Sequence, residues 1–264
     1  MTPQFGPHRY DAGPFGPEHT DAYRGARLEV RDLTGARFVD CDLTGVRVRD
    51  GVLVDVDLSG YVERLVVNGV DVTDLVAAEL DRRHPERVQL RGMRTADDFR
   101  AMRATLEALW DGAVERARRL GDAALDERVD EEWSFLETLR HLVFVTDAWV
   151  SRTVLDEERP YHRLGLPQSW YPAADAAALG IDVAARPSAD EVLAALHSRR
   201  EVLRDVLGAL TDDVLGRPCR RPPAPGYPEE ERPVWECLAV ALEEEVEHYR
   251  YATRDLAVLE ARRG

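Results

Sequence analysis

The stretch WSFLETLRHLVFVTDAWV, residues 133–150, places one histidine, His141, among apolar residues that recur at helical spacing. A second stretch, EEEVEHYRYATRDL at residues 243–256, carries Glu244 and His248 four positions apart, and therefore on one face of a helix, one turn apart. Two side chains at this spacing, joined by one from a facing helix, can converge on a metal ion in the core of a helical bundle. A packed core histidine and a solvated acidic face are the alternative interpretation of the same residues.

From residue 95 onward, the apolar periodicity predicts four helices. Thr95 with Asp98, and Ser188 with Glu191, have the spacing of a capping box, which favours a helix start at each pair. An up-and-down bundle with long crossover connections is the expected packing, so the fold class is predicted to be mainly α. The predicted helices span residues 95–120, 130–155, 188–210 and 234–261.

The connection EERPYHRLGLPQSWYPAADAAALGIDVAARP, residues 157–187, separates the second and third helices. It contains four prolines and no sustained helical period, which is unusual for a compact bundle and favours a functional role. His162 in this connection is a candidate substrate contact or proton shuttle beside a metal site. A histidine on the surface of a loop is the alternative.

A strict period of five residues occupies residues 26–60. This period fits neither a helix nor a strand, and the segment resembles the pentapeptide-repeat family, in which four fives form one turn of a right-handed quadrilateral β-helix. The resemblance implies that the apolar centres stack inside the coil, and that fewer than two turns must lean on the rest of the chain. The centres of the fives are Leu28, Leu33, Phe38, Leu43, Val48, Leu53 and Leu58.

These patterns divide the chain into four parts. After the last repeat, Asn68-Gly69 predicts a turn, and Thr73 is the predicted cap of a short helix. The predicted parts are a flexible lead at 1–24, a pentapeptide-repeat β-helix segment at 25–72, a short helix and linker at 73–94, and a four-helix bundle at 95–264.

The composition excludes several classes of function. Acidic residues outnumber basic residues by 50 to 35, and a net charge of −15 disfavours a generic nucleic-acid surface. All basic residues are arginine, which removes Schiff-base and phosphate-loop lysines, and no dinucleotide fingerprint is present. No stretch is apolar and long enough to span a membrane, and the N-terminus lacks the pattern of a secretory signal. Three cysteines at no metal-like spacing fit a cytoplasmic protein with reduced thiols.

The two stretches quoted first are together similar to DinB/YfiT-like four-helix bundles, and with the repeats they resemble an actinobacterial branch of DinB-type proteins joined to pentapeptide repeats. The resemblance covers residues from about 90 to 264. It implies that His141, Glu244 and His248 bind a divalent metal such as Zn, Ni, Fe or Mn. The usual pattern has a histidine where this chain has Glu244; a carboxylate is an acceptable ligand, and Glu245 is the alternative.

The resemblance also implies a function. Several DinB-like proteins are metal-dependent transferases or isomerases that use low-molecular-weight thiols, mycothiol in actinobacteria, with a small molecule as substrate. Here Arg250 or Arg254 would hold the carboxylate of the thiol or an anionic group of the substrate. A non-catalytic metal- or small-molecule-binding module in a stress response is the alternative. Such bundles often form homodimers, and a DNA-mimic role is disfavoured because fewer than two repeat turns present too short a face.

Three residues near the candidate ligands have a structural interpretation beside a functional one. Glu137, one turn before His141, would orient its imidazole or form an exposed salt bridge. Cys237 is expected to be a core thiol, and Tyr251 either lines a pocket or packs in the core.

Overall fold

The computed structural model describes residues 23–38, 41–169 and 171–263, so most of the lead predicted at 1–24 lies outside the described residues. The described part is mainly helical, with two small antiparallel sheets. In the first sheet, β1 (Val66–Val67) pairs with β2 (Val70–Asp71). In the second, β3 (Pro218–Cys219) pairs with β4 (Arg232–Pro233).

The helices divide into short connecting helices and four long segments. Of the long segments, α9 (Val234–Ala261) packs against α3 (Ala96–Arg119) and against the continuous segment formed by α5 (Phe135–Val145) and a π-helix (Thr146–Val154). The segment α7 (Ala189–Ala209) packs against α5 and α3. This is the four-helix packing that the sequence predicts. The helices are α1 (Thr73–Arg83), α2 (Pro85–Gly92), α3 (Ala96–Arg119), α4 (Asp122–Leu125), α5 (Phe135–Val145), the π-helix (Thr146–Val154), α6 (Ala173–Ala178), α7 (Ala189–Ala209), α8 (Asp212–Leu215) and α9 (Val234–Ala261).

Capping boxes fix the starts of two of the long helices, as predicted. At α3, the Thr95 side chain accepts from the Asp98 backbone N–H and the Asp98 side chain accepts from the Thr95 N–H. The same reciprocal pair, Ser188 and Glu191, opens α7. Each box satisfies backbone donors that the first turn of a helix leaves without an intrahelical partner.

The second long helix differs from its prediction at both ends. It begins at Phe135 rather than near residue 130, because Asp130 and Glu131 have φ angles of 50° and 66°, outside the helical region. Beyond Val145 the segment widens into the π-helix, in which each backbone N–H donates to the carbonyl five residues earlier. A widened turn rotates the following side chains relative to those of α5, and π-turns occur frequently at functional sites.

The β-helix predicted for residues 25–72 is not closed in the structure. Among the described residues before Val66 no strand is present, and the seven repeat centres are 42–64% exposed. The period instead appears as recurrent turns: Ala36 N–H bonds to the Leu33 carbonyl around Gly35 at φ 76°, a geometry typical of a type II turn. A coil of this kind buries its centres only against neighbouring coils, and the segment is too short to supply them.

The predicted turn at Asn68-Gly69 is confirmed, since both residues have the positive φ angles that a two-residue hairpin requires, 50° and 83°. The predicted capping role of Thr73 is wrong. Thr73 is the first residue of α1, and its hydroxyl accepts from the Leu65 N–H at 2.9 Å. That bond ties the helix start to the strand before the hairpin.

The long connection between the π-helix and α7 packs on the bundle through its aromatic side chains. The Tyr161 hydroxyl donates to the Pro223 carbonyl at 2.6 Å, and the Tyr171 hydroxyl donates to the Pro225 carbonyl at 3.1 Å. The connection therefore lies against the Pro-rich link that precedes α9. Within the described residues, no helix has both the length and the apolar character needed to cross a bilayer.

Candidate metal centre

Two packed helices bring the three candidate ligands together. His141 lies in the middle of α5, and Glu244 and His248 lie one turn apart on α9. Both helices bury an apolar face in the common core, so the three side chains meet inside the bundle. His141 is 1% exposed and Glu244 8% exposed, which removes these polar groups almost completely from water.

The donor atoms of the three side chains are spaced as ligands of one ion would be. Glu244 Oε2 lies 3.3 Å from His141 Nε2 and 3.2 Å from His248 Nε2. Atoms bound to one cation at about 2.1 Å are separated by roughly 3.0–3.4 Å at octahedral or tetrahedral angles. One ligand atom from each side chain lies within 4.8 Å of the others. These residues therefore fit a divalent metal.

The hydrogen bond of His141 Nδ1 determines which nitrogen of the neutral ring carries the proton, and Nε2 faces the cluster. His141 Nδ1 lies 2.8 Å from the Leu166 carbonyl oxygen, which can only accept, so Nδ1 carries the proton. In the neutral ring Nε2 then presents a lone pair to the oxygen of Glu244. Two lone pairs at this distance repel unless a proton or a metal cation lies between them, and a backbone carbonyl behind a ligating histidine is a common feature of metal sites.

The pKa values of Glu244 and His248 indicate the charge that the cluster carries at neutral pH. Burial raises the pKa of Glu244, but the two neighbouring imidazoles outweigh burial and lower this pKa to about 2. Burial lowers the pKa of His248 more than the Glu244 carboxylate raises it, which favours the neutral ring. At neutral pH the cluster therefore offers an anionic oxygen together with histidine nitrogen, a set that suits Zn, Fe, Ni or Mn.

Aromatic rings surround the two histidines on the side where α9 approaches the start of α5. Trp133 lies 4.7 Å from His141 and 5.9 Å from His248, measured between ring centroids. Tyr251 lies 6.4 Å from His248. Trp133 and Tyr251 are both half-buried, so the rings beside the two histidines are partly accessible to solvent.

The two arginines predicted to bind a substrate lie beside the Tyr251 ring but are already paired with carboxylates. The guanidinium carbons of Arg250 and Arg254 lie 4.5 Å and 5.4 Å from the centroid of the Tyr251 ring. Arg250 pairs with Glu247, and Arg254 pairs with Glu132 at 2.6 Å. An anionic ligand at this position would have to compete with these carboxylates.

His162 takes part in a different network from the cluster. Its backbone N–H donates to Asp147 Oδ2 at 2.7 Å, and its ring Nδ1 accepts from the Leu164 N–H at 3.1 Å. Asp147, buried on the π-helix, also forms an ion pair with Arg199 of α7. Burial raises the pKa of Asp147 to about 6, and Arg199 only partly opposes that shift. This network fastens the start of the long connection to the bundle.

Contacts across the bundle bear on two alternatives left open by the sequence. Glu245, the alternative ligand, points away from the cluster and accepts from the Arg103 guanidinium at 3.1 Å. Glu137 pairs with Arg128 and accepts from the Ser134 N–H, so it caps α5 instead of orienting His141. Cys237 is a buried free thiol, as predicted.

The partner of His141 that sequence reasoning missed is the carbonyl of Leu166. A backbone carbonyl leaves no trace in residue identity, and its approach depends on how the long connection folds. The only available signal was the unusual length and proline content of residues 157–187.

Comparison with known proteins identifies one family. A family model described as the DinB superfamily matches residues 105–252, more than half of the chain and a span that contains all three members of the cluster. No curated protein and no solved structure matches the chain.

Proposed function

The chain belongs to the DinB superfamily, whose domains often bind divalent metals, and from that premise we propose that it is a metal-dependent enzyme. His141, Glu244 and His248 hold the ion. The reaction is the transfer of a low-molecular-weight thiol of the mycothiol type to an electrophilic small molecule. The observation that carries the proposal is the convergence of one oxygen and two nitrogens within 4.8 Å inside the bundle.

Three protein ligands suit a reactive site better than a structural one. Structural zinc sites are closed by four side chains, whereas catalytic sites keep a position for an exogenous ligand. When bound, a divalent ion supplies a Lewis acid that favours the ionised form of a thiol at neutral pH. The sulfur would then form a bond to an electrophilic carbon while the bond from that carbon to its leaving group breaks. The leaving group would depart with the bonding electron pair, and the thiol proton would go to solvent or to the leaving group.

The chain's own residues position the reactants around this centre. Trp133 and Tyr251 lie beside the histidines, and an apolar substrate would stack on their rings. Arg250 and Arg254 stand beside Tyr251, where they would pair with the carboxylate of a thiol cosubstrate in exchange for Glu247 and Glu132. The proposed role of His162 at the substrate has no support from its contacts, because its ring faces its own loop.

A second candidate is a metal-binding module without catalysis. Two observations favour it: Glu244 replaces the histidine of the usual pattern, and both arginines beside Tyr251 are paired with carboxylates. A module of this kind would retain the metal but would not consume a thiol.

The test is elemental analysis of untagged protein purified without chelator. Wild type and a His248→Ala variant are compared with His197→Ala, a matched control whose side chain is 70% exposed and pairs with Glu201 on the surface. About one equivalent of transition metal, lost only in His248→Ala, supports the site. No metal in wild type, and none taken up on titration, overturns it.

A second assay separates the enzyme from the binding module. Metal-loaded wild type is incubated with mycothiol or another low-molecular-weight thiol and a model electrophile, and loss of free thiol is followed. Turnover that His248→Ala loses and His197→Ala retains supports the transferase. Stoichiometric metal without turnover across a panel of thiols and electrophiles favours the module.

A further inference from the structure

Arg140, the residue before His141, is a buried arginine whose guanidinium faces the backbone of the long connection. It is 2% exposed. Its Nε donates to the Leu164 carbonyl at 2.9 Å, Nη1 to the Ala185 carbonyl at 3.0 Å, and Nη2 to the Asp182 carbonyl at 2.8 Å. One side chain thus holds both ends of a loop in a single planar fork, which a lysine cannot reproduce.

The backbone of Arg140 holds the same loop at a further point. The Leu166 N–H donates to the Arg140 carbonyl at 3.0 Å. The carbonyl of Leu166, in turn, accepts from His141 Nδ1 at 2.8 Å. Arg140 therefore holds the part of the loop whose carbonyl, at Leu166, keeps the proton of the neutral His141 ring on Nδ1.

We propose that Arg140 is a positioning residue of the metal centre, which acts through the long connection. By holding Leu164, Asp182 and Ala185, it keeps the Leu166 carbonyl against His141 Nδ1, so that Nε2 faces Glu244 with a free lone pair. The metal part of this inference rests on the proposed function. The effect on the histidine tautomer does not, because the contacts that carry it involve only the chain itself.

A different arginine that also bonds to backbone carbonyls provides a control. Arg100 on α3 donates to the backbone carbonyls of Leu207 and Leu210 at 2.8 Å and 2.9 Å, near the end of α7. It ties carbonyls at the C-terminal end of α7 to α3 and also pairs with Asp97, and its contacts do not lead to a ligand of the cluster. A merely structural role for Arg140 would lower the stability of Arg140→Gln but leave the His141 tautomer as it is in wild type and in Arg100→Gln.

The first readout is the imidazole ¹⁵N spectrum of the metal-free chain, with the His141 signals assigned by their loss in His141→Gln. Wild type and Arg100→Gln should show His141 protonated at Nδ1. Arg140→Gln should show a mixture of the two tautomers, and Arg140→Lys should restore the wild-type tautomer in part at most. An unchanged tautomer in a folded Arg140→Gln protein overturns the proposal.

The second readout is the affinity for Co(II), followed by its visible absorption. Residues behind a metal ligand typically contribute about 10–100-fold to affinity, so Arg140→Gln should weaken binding by about that factor while Arg100→Gln changes it less than about twofold. Failure of wild type to bind cobalt would count against the proposed metal centre, and the tautomer measurement would still test Arg140. If both Arg140 variants fail to fold while Arg100→Gln folds, Arg140 supports the whole fold and the positioning role is wrong.

Discussion

Trp133 stacks on His248, with the ring centroids 5.9 Å apart and the ring planes inclined by 21°. The indole also lies 4.7 Å from His141, so a metal held by these histidines would sit close to one of the five tryptophans. Paramagnetic ions such as Ni(II) and Co(II) quench nearby indole fluorescence. Titration of metal-free protein with Ni(II) should therefore quench part of the emission, saturating at about one equivalent. Trp133→Phe should bind the ion but lose most of the quenching; quenching that persists would place the ion elsewhere.

The helical half of the fold could be predicted because its signals are local. The apolar period and the capping boxes at Thr95 and Ser188 act within a few residues, and the helices begin where these signals lie. The i, i+4 spacing of Glu244 and His248 likewise fixes their shared face before any tertiary contact is known. The convergence of His141 with them follows from helix packing, and their binding of a metal stays a prediction.

The remaining features depend on contacts between distant parts of the chain. The π-helix has no period of its own in the sequence, and the Leu166 carbonyl reaches His141 only because the long connection folds back. Glu245 was distinguished from Glu244 by its partner Arg103 on α3. The described residues of the repeat segment do not form the predicted closed coil, because a five-residue period specifies the turns, while burial of the centres requires neighbouring coils.

Because the repeat centres are largely exposed, each should contribute little to the free energy of unfolding. Leu53 is 61% exposed, whereas Leu106 of α3 is fully buried. Leu106→Ala should lower the free energy of unfolding by about 2–5 kcal/mol, because it leaves a cavity in the bundle core. Leu53→Ala should change it by less than about 0.5 kcal/mol. Chemical denaturation followed by helical circular dichroism measures both. A cost of several kcal/mol for Leu53→Ala would show that the centres are buried in a closed coil.

Glu137 links the stability of α5 to pH. Burial raises its pKa, but the Arg128 guanidinium and the Ser134 N–H outweigh burial, so the folded-state pKa lies below the ordinary value of 4.5. The carboxylate therefore stabilises the native state above about pH 4.5, and this stabilisation is lost as the pH falls through the folded-state pKa. Glu137→Gln should cost about 1 kcal/mol near pH 7, the usual contribution of a helix cap, and less as the pH falls through the folded-state pKa of Glu137. Denaturation at neutral pH and through the acidic range checks this, and a difference independent of pH would contradict it.

Glu244 predicts the metal preference of the cluster. A carboxylate oxygen is a harder ligand than imidazole nitrogen and tolerates Mn(II) and Fe(II) better, whereas imidazole favours Ni(II), Cu(II) and Zn(II). Replacing this ligand by Glu244→His should therefore raise the ratio of Ni(II) to Mn(II) affinity by about tenfold or more. Competition with a chromophoric chelator measures both affinities on the same protein.

Glu245→Gln is the matched control, because Glu245 is the next residue and is equally buried, but its carboxylate pairs with Arg103. This control should leave the affinity ratio unchanged. It should instead lower the free energy of unfolding by about 3 kcal/mol, since it leaves a buried guanidinium with one carboxylate partner fewer. Glu107 lies 3.0 Å from Arg103 and remains as a second carboxylate partner. The expected loss is therefore at the lower end of the range of about 3–5 kcal/mol for breaking a buried ion pair. The same affinity ratio in wild type and Glu244→His would show that Glu244 does not ligate the ion, whereas a shift in Glu245→Gln alone would move the oxygen ligand to Glu245.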